Sequence, residues 1–357
     1  MYSRNQEKIL IVRMDRVGDA LVTTPAVRAL RKLFPHARID FLAHSFNKIA
    51  VERNPYIDTL YVYPTNLWGI ISLLCTLRKN QYDAILVMNA HSKRTSYFVS
   101  LLGAKEVWGF PRKRTKFCYT HTPECIIPQC FVDSDIQKGG GQYHIIIELL
   151  ALVEGCAQSR ATSLSHSISE TYTKENMLQM DFILEESSSS ISMRYPSNEK
   201  KRIALCIGNA KKIHTRWALD NFIMLSKRLL KEHNNIEVFI CIGKFEEEML
   251  QKHPSSFPKE CILFRGSLSD TGALLQTVDS FVTSSTSYMH LAGALDIPTI
   301  SLLGGYNYTV WRLLGNQHRY ILSDSSGVDV QSISVDEVYE AICEQCGLVE
   351  RSRENMI

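Results

Sequence analysis

The stretch from Lys8 to Ala43, KILIVRMDRVGDALVTTPAVRALRKLFPHARIDFLA, decides the fold. Lys8 to Arg13 is a short apolar, β-branched run, the composition of a strand buried on both faces. A loop ending in Gly18-Asp19 follows. Thr24-Pro25 then opens a helix, because a threonine caps free N–H groups and proline fits the first turn, where it has no bond to lose. Val27, Leu30 and Phe34 recur on one face of it, and Arg38 to Ala43 reads as the next strand. The chain therefore opens as a β-loop-α-β unit with parallel strands.

The same alternation extends outward. Thr59 to Tyr63, Ala84 to Met88 and Glu106 to Trp108 are strand candidates, with helical stretches at Trp68 to Arg78 and Ser92 to Leu102. Between Gln158 and Lys201 the pattern weakens into polar sequence, and the domain boundary is placed there. Strands are next expected at Arg202 to Ile207, Ile236 to Ile242, Cys261 to Phe264, Ser280 to Thr283, Thr299 to Leu303 and Arg319 to Leu322. Helices are expected at Asp220 to His233, Phe245 to Lys252, Leu268 to Thr277 and Ser287 to Leu295. The reading is an α/β protein of two Rossmann-like domains facing a central cleft, residues 1–175 and 195–330, with a C-terminal helix and tail at 331–357. Ligands of open parallel sheets bind beyond the carboxyl ends of the strands, so the loops after Val12, Ile207, Ile242 and Thr283 are expected to line that cleft.

At 357 residues the chain exceeds what one core usually organises. A formal charge of +3 is too small to argue for nucleic acid. The polar start and the short apolar runs, Leu67 to Leu77 among them, hold neither a signal peptide nor a membrane span, so the chain is expected in the cytoplasm with reduced cysteines. Cys206, Cys241 and Cys261 sit in or beside strand-like runs, as small buried hydrophobes do. Cys343 and Cys346 lack the second pair that a zinc site needs, so neither a metal nor a cofactor is expected. One segment is locally basic: Lys93, Arg94, Lys105, Arg112, Lys113, Arg114 and Lys116 face a single acid, Glu106.

No Gly-x-Gly-x-x-Gly follows a strand and no Walker loop occurs, which removes the main support for dehydrogenase and P-loop chemistry. Gly139 to Gly141 lies outside a strand-turn-helix context. A phosphate still fits any helix N-terminus, and Ser285, Thr286 and Ser287, small hydroxyl residues between a strand and a helix, are the best such place; they read equally as an ordinary polar cap. Asp19 reads on position alone as a helix cap, and alternatively as a carboxylate able to take a proton from a sugar hydroxyl. Arg13, Asp15 and Arg16 either meet an anionic ligand or pair with one another. His290, one turn into its helix, either orients a phosphate or packs.

Taken together these regions resemble glycosyltransferase family nine, the heptosyltransferases of the lipopolysaccharide inner core. Arg13, Asp15, Gly18-Asp19, Thr24-Pro25, Leu30-Arg31, Pro35, Ala37 and Ile39-Asp40 are similar to its opening signature. Arg216-Trp217 with Asn221-Phe222 resembles its Lys-Arg-Trp-Pro loop and helix, and Gly266 to Leu268, Thr286 to Ala292, Pro298 and Leu303-Gly304 its C-terminal block. The resemblance implies a GT-B fold and inverting, metal-independent transfer of heptose or a related sugar from a nucleotide-sugar donor, ADP-heptose first, to an anionic saccharide or glycolipid acceptor. Peripheral contact with the inner membrane fits such an acceptor. The resemblance assigns Asp19 as general base, the acceptor to the N-terminal domain and the donor to the C-terminal one. The acceptor candidates are then Arg13, Asp15 and Arg16 with Arg112 and Arg114 of the basic segment, which reads equally as a solvated loop. The donor candidates are Asn209, Thr215, Arg216, Gly243, Ser285, Thr286, Ser287 and His290. The chain departs from the pattern where Ser285-Thr286-Ser287 replaces Asp-[Ser/Thr]-Gly, Thr215 replaces a lysine and Ala218 a proline. A GT-B enzyme of another donor, a nucleotide-sugar epimerase and a silent binding protein are the alternatives.

Overall fold

The computed structural model describes residues 6–89, 92–123, 143–160, 178–196, 198–208, 213–253, 255–315 and 317–348. The chain divides into two compact units, Met1–Phe182 and Ile183–Ile357. In the first, β1 (Lys8–Val12), β2 (Arg38–His44), β3 (Thr59–Tyr63), β4 (Ala84–Val87) and β5 (Glu106–Gly109) form a parallel sheet in the order β3-β2-β1-β4-β5. Its helices are α1 (Val17–Leu21), α2 (Thr24–Leu33), α3 (Leu67–Lys79), α4 (Lys93–Ser100) and α5 (Ile145–Gln158).

The second unit carries α6 (Ser190–Arg194), β6 (Lys201–Cys206), α7 (Leu219–Glu232), β7 (Ile236–Cys241), α8 (Lys244–Lys252), β8 (Ile262–Phe264) and α9 (Leu268–Leu275). There follow β9 (Ser280–Ser284), α10 (Ser287–Ala294), β10 (Thr299–Leu303), α11 (Gly305–Trp311), β11 (His318–Leu322) and α12 (Val335–Cys346). The strand order is β11-β10-β9-β6-β7-β8, again parallel. Both sheets reverse direction beside their first strand, between β1 and β4 and between β6 and β9. In a doubly wound sheet that reversal opens the crevice in which ligands bind.

Burial explains why the strands read as they did. Ile9, Leu10, Ile11 and Val12 are all fully buried, because helices cover both faces of β1. Leu10, Val12, Ile85 and Val87 pack with Leu73 and Leu77 of α3 and Phe98 and Val99 of α4 in one cluster. Helices α2 and α5 pack against each other. In the second unit Trp217, Phe222, Val238, Ile240 and Val282 share a core with Val338, Tyr339 and Ile342 of α12, so the C-terminal helix is part of that unit's core.

Several elements differ from the sequence reading, three of them near the sites or the core. Gly18-Asp19 does not end a loop but lies inside α1, a short helical turn begun at Arg16. Helix α5 escapes notice because IIIELLALV is apolar on nearly every side, and a helix buried nearly all round shows no clear polar stripe. Helix α11 was unmarked; the two glycines at its start, Gly304 and Gly305, lie against the 325–329 backbone, where a Cβ would come within 3.0 Å.

Candidate functional site

At the crevice of the first sheet, the chain leaves β1 at Arg13, whose side chain is 1% exposed. Its Nη2 donates to Asp19 Oδ1 at 3.1 Å, and its Nε lies 3.7 Å from Asp15 Oδ2 without a hydrogen bond. Asp19 Oδ2 accepts the backbone N–H of Arg16 at 3.0 Å, so Asp19 does cap α1. A carboxylate has about four lone-pair sites, however, and the two contacts leave room for a ligand hydroxyl on a side chain 16% exposed. Arg16 itself is exposed.

Two asparagines missing from the sequence reading fix this loop. Asn47, after β2, donates from Nδ2 to Arg13 O at 3.1 Å, and Asn89, after β4, accepts Met14 N–H and donates to Asp15 Oδ1, both at 2.8 Å. Glu148 of α5 is also close: burial pushes its carboxyl up from the ordinary carboxylate range, and the Arg13 guanidinium opposes the rise. The loop is thus a braced cluster of Arg13 with Asp15 and Asp19, and Glu148 within its field.

Arg112 and Arg114 stand exposed on the segment after β5, a strand separated from β1 by β4 and so roughly 10 Å across the sheet. They do not join the Arg13 cluster in one turn. Lys105 leaves the basic segment altogether. It precedes β5 at the amino end of the sheet and its Nζ bonds Asp83 Oδ1 at 2.7 Å.

The second crevice gathers residues from four places. After β9, Thr286 caps α10 by accepting Met289 N–H at 3.3 Å, and its hydroxyl lies 3.1 Å from that of Thr283. Ser285, Thr286 and Ser287 are half-buried. A Cβ on Gly208, after β6, would lie 3.7 Å from the Thr286 methyl and 4.0 Å from Glu246 Oε1. One on Gly243, after β7, would lie 2.5 Å from Glu246 Oε2 and 3.7 Å from Tyr288 Oη. Gly243 therefore permits the buried Glu246 carboxylate to fold back over the carboxyl end of β7. Glu246 and Tyr288 were not singled out from sequence; a glycine ending a strand with a glutamate three residues on was the available signal.

The 213–217 segment enters the same crevice. Trp217 anchors it, fully buried, with Nε1 donating to Ile333 O at 2.8 Å and its backbone N–H directed at Ser284 Oγ, 3.4 Å away. Arg216 is half-buried, its Nε makes no hydrogen bond, and burial draws its guanidinium down from the ordinary value while Glu246 opposes the fall. Thr215 is buried. His290 is buried too and meets Trp311 edge-on at 6.0 Å, one turn inside the helix rather than at its tip. Asn209 lies outside the described residues, as do Lys211 and Lys212.

Two thiols lie buried at this end of the second sheet. Burial pushes Cys206 up to about 11, and Cys241, beside it in the sheet, well above the ordinary thiol value. Cys343 and Cys346 are buried on α12, and no cluster of three metal-ligating side chains occurs among the described residues.

Each sheet thus has its own crevice, one lined by a braced Arg-Asp loop and one by glycines, hydroxyls, a glutamate and an arginine. The model of glycosyltransferase family 9 (heptosyltransferase) matches residues 70–334. The chain belongs to that family. It is 23% identical over 307 residues to lipopolysaccharide heptosyltransferase 1 of Campylobacter coli, covering 83% of this chain and 84% of the relative. Its fold is that of E. coli ADP-heptose lipopolysaccharide heptosyltransferase II (TM-score 0.71, 18% identity, 95% of this chain and 98% of the other). It is also that of a family 9 glycosyltransferase from Veillonella parvula (TM-score 0.74, 16% identity, 96% and 98%). The protein is a glycosyltransferase with the two-sheet GT-B architecture. Ser285 is half-buried just after β9, and Glu246 is the buried carboxylate beside Gly208 and Gly243.

Proposed function

We propose that this family 9 enzyme transfers heptose, or a closely related sugar, from a nucleotide-sugar donor, ADP-heptose first among candidates, to an anionic inner-core lipopolysaccharide acceptor at the cytoplasmic membrane face. The names of its relatives in Campylobacter coli and E. coli support the substrate class. The observation that carries the donor half is the crevice at β6, β7 and β9. Gly208 and Gly243 let backbone come close, the N-terminus of α10 offers N–H groups and a partial positive charge to a diphosphate, and Arg216 adds a cation with an unused Nε. Ser285, Thr286 and Ser287 hydrogen-bond the phosphates, Glu246 accepts from sugar or ribose hydroxyls, and His290 supports the helix from behind. Thr215 completes the wall.

In the acceptor half, Asp19 takes the proton of the attacking hydroxyl while Arg13 and the Arg16 N–H hold its carboxylate in place. The hydroxyl oxygen bonds to the anomeric carbon as the bond to the diphosphate breaks from the opposite side, which inverts the centre. The departing negative charge falls on the α10 N-terminus and Arg216, the stabilisation that the family's metal-independent scheme requires. Arg16, Arg112 and Arg114 meet the acceptor's anionic groups, and Asp15 keeps Arg13 aligned.

A thermal-shift panel of ADP-, UDP- and GDP-sugars tests this reading. A ligand at a hundred times its Kd adds about 2.7 kcal/mol to the native state, a rise of roughly 5 °C or more for units of this size. ADP-heptose is expected to give that rise and then to release ADP only when acceptor is added. A shift with UDP-sugars alone, or hydrolysis indifferent to acceptor, sinks the assignment.

A further inference from the structure

The carboxyl end of the first sheet carries a surface of which the proposed transfer chemistry uses only Arg112 and Arg114. Between Thr59 and Pro123 the sequence holds two carboxylates, Asp83 and Glu106. Both sit at the amino end of the sheet, Asp83 just before β4 and Glu106 opening β5, paired with Lys105 and Arg160. At the opposite end, among the described residues of this stretch, there are cations and no acids. Lys93 and Arg94 form the first turn of α4, and Arg112, Lys113, Arg114 and Lys116 follow β5; all six are exposed. Cations in a first turn oppose the helix dipole, so Lys93 and Arg94 are not there for the stability of α4.

The same end is also apolar. At the start of α3, Leu67 is 70% and Trp68 81% exposed, whereas Trp108 and Trp217 are buried. Phe117 is 76% exposed, with its ring 6.1 Å from that of the half-exposed Tyr97 of α4. Helices α3 and α4 share one face of the sheet and lie side by side, Arg78 Nη1 reaching Leu101 O at 2.9 Å near their C-termini. Each follows a parallel strand, so their N-termini emerge together.

We infer that this end of the α3–α4 layer seats the enzyme on an anionic bilayer, with Leu67, Trp68 and Phe117 entering the headgroup region and the surrounding cations facing lipid phosphates. Exposed tryptophan beside lysine and arginine is the chemistry of an interfacial anchor. Charge decides against a second copy as occupant, since two such faces would set cation against cation. The inference rests on the proposed function to the extent that a glycolipid acceptor lies in a membrane.

The test uses the full chain with vesicles of phosphatidylcholine, alone or mixed with phosphatidylglycerol. Cosedimentation is expected with the mixed vesicles only and to weaken with salt. Tryptophan emission should shift to the blue on binding, and Trp68→Phe should abolish the shift while keeping the binding. Replacing Leu67 and Trp68 together by Ser should weaken binding about tenfold. Replacing Arg112, Lys113 and Arg114 by Gln should weaken it on the order of a hundredfold, each surface cation contributing about fivefold. The Leu67/Trp68 variant should keep full turnover on a soluble, delipidated acceptor and lose it on acceptor held in vesicles. Equal binding to neutral vesicles, a shift that survives Trp68→Phe, or a concentration-dependent dimer abolished by the Leu67/Trp68 variant overturns the inference. Vesicle binding without any transfer activity leaves the docking intact and removes the proposed reaction; transfer without vesicle binding does the reverse.

Discussion

Asp19→Asn separates the two roles that the structure gives this residue. The carboxylate takes Arg13 Nη2 on one oxygen and Arg16 N–H on the other. An amide keeps one oxygen, so its NH2 must face one of those donors. If the oxygen stays with Arg16, the 1%-exposed Arg13 side chain loses a charge-assisted bond, about 2 kcal/mol, softened by Asp15 at 3.7 Å. If it stays with Arg13, the cap is lost, about 1 kcal/mol. A folding cost of about 1–2 kcal/mol is therefore expected, visible as a lower urea midpoint at unchanged m. Removal of a general base should lower kcat by about two to four orders of magnitude, or roughly 3–5 kcal/mol of barrier, more than the fold loses. Acceptor-dependent ADP release, measured where circular dichroism shows the variant folded, reads the second effect, and calorimetric ADP titration should give a Kd within about twofold of wild type. A folded Asp19→Asn enzyme with wild-type kcat would refute the base assignment and leave Asp19 as the cap of α1.

Arg216→Gln should weaken ADP binding by about tenfold or more, the worth of one charge-assisted contact; an unchanged Kd in the same titration would show that the unused Nε does not face the diphosphate. Gly243→Ala places a methyl 2.5 Å from Glu246 Oε2, so it should displace that carboxylate and lower donor affinity at near-normal stability, while the Arg13 side of the reaction keeps its acceptor KM. Glu148→Gln should raise the Tm at pH 7. The Glu148 carboxyl is raised by burial, so the folded chain pays to ionise it above its folded pKa, and the cost fades as pH falls toward the ordinary carboxylate value. The gain from the substitution should fade over that same window; a gain independent of pH would mean that packing, not ionisation, is the cause.

Strand positions were legible because both sheets are parallel and covered on each face, which leaves uninterrupted runs such as Ile9 to Val12 and Ile203 to Cys206. Periodicity failed where burial is nearly complete, as in α5, and where a turn is held by contacts far away in sequence, as at Gly304-Gly305. Residues on strand ends were legible as site candidates, Arg13, Ser285 and Gly243 among them, because topology sends strand ends to the crevice. Asn47 and Asn89 were not, since each acts through a partner 34 or 75 residues away, and Glu246 was passed over although its spacing from Gly243 offered a signal. Lys105 shows the converse error: proximity in sequence grouped it with Arg112 and Arg114, while one strand's length sends it to the other end of the sheet.

The most direct test of the central claim is single-product analysis of the reaction with ADP-heptose and a lipopolysaccharide inner-core acceptor, following ADP release and reading the anomeric configuration of the new linkage by NMR. Acceptor-dependent release of one ADP per heptose transferred, with the anomeric configuration inverted relative to the donor, is the predicted result. Release without transfer, or a product that retains the donor's configuration, contradicts it.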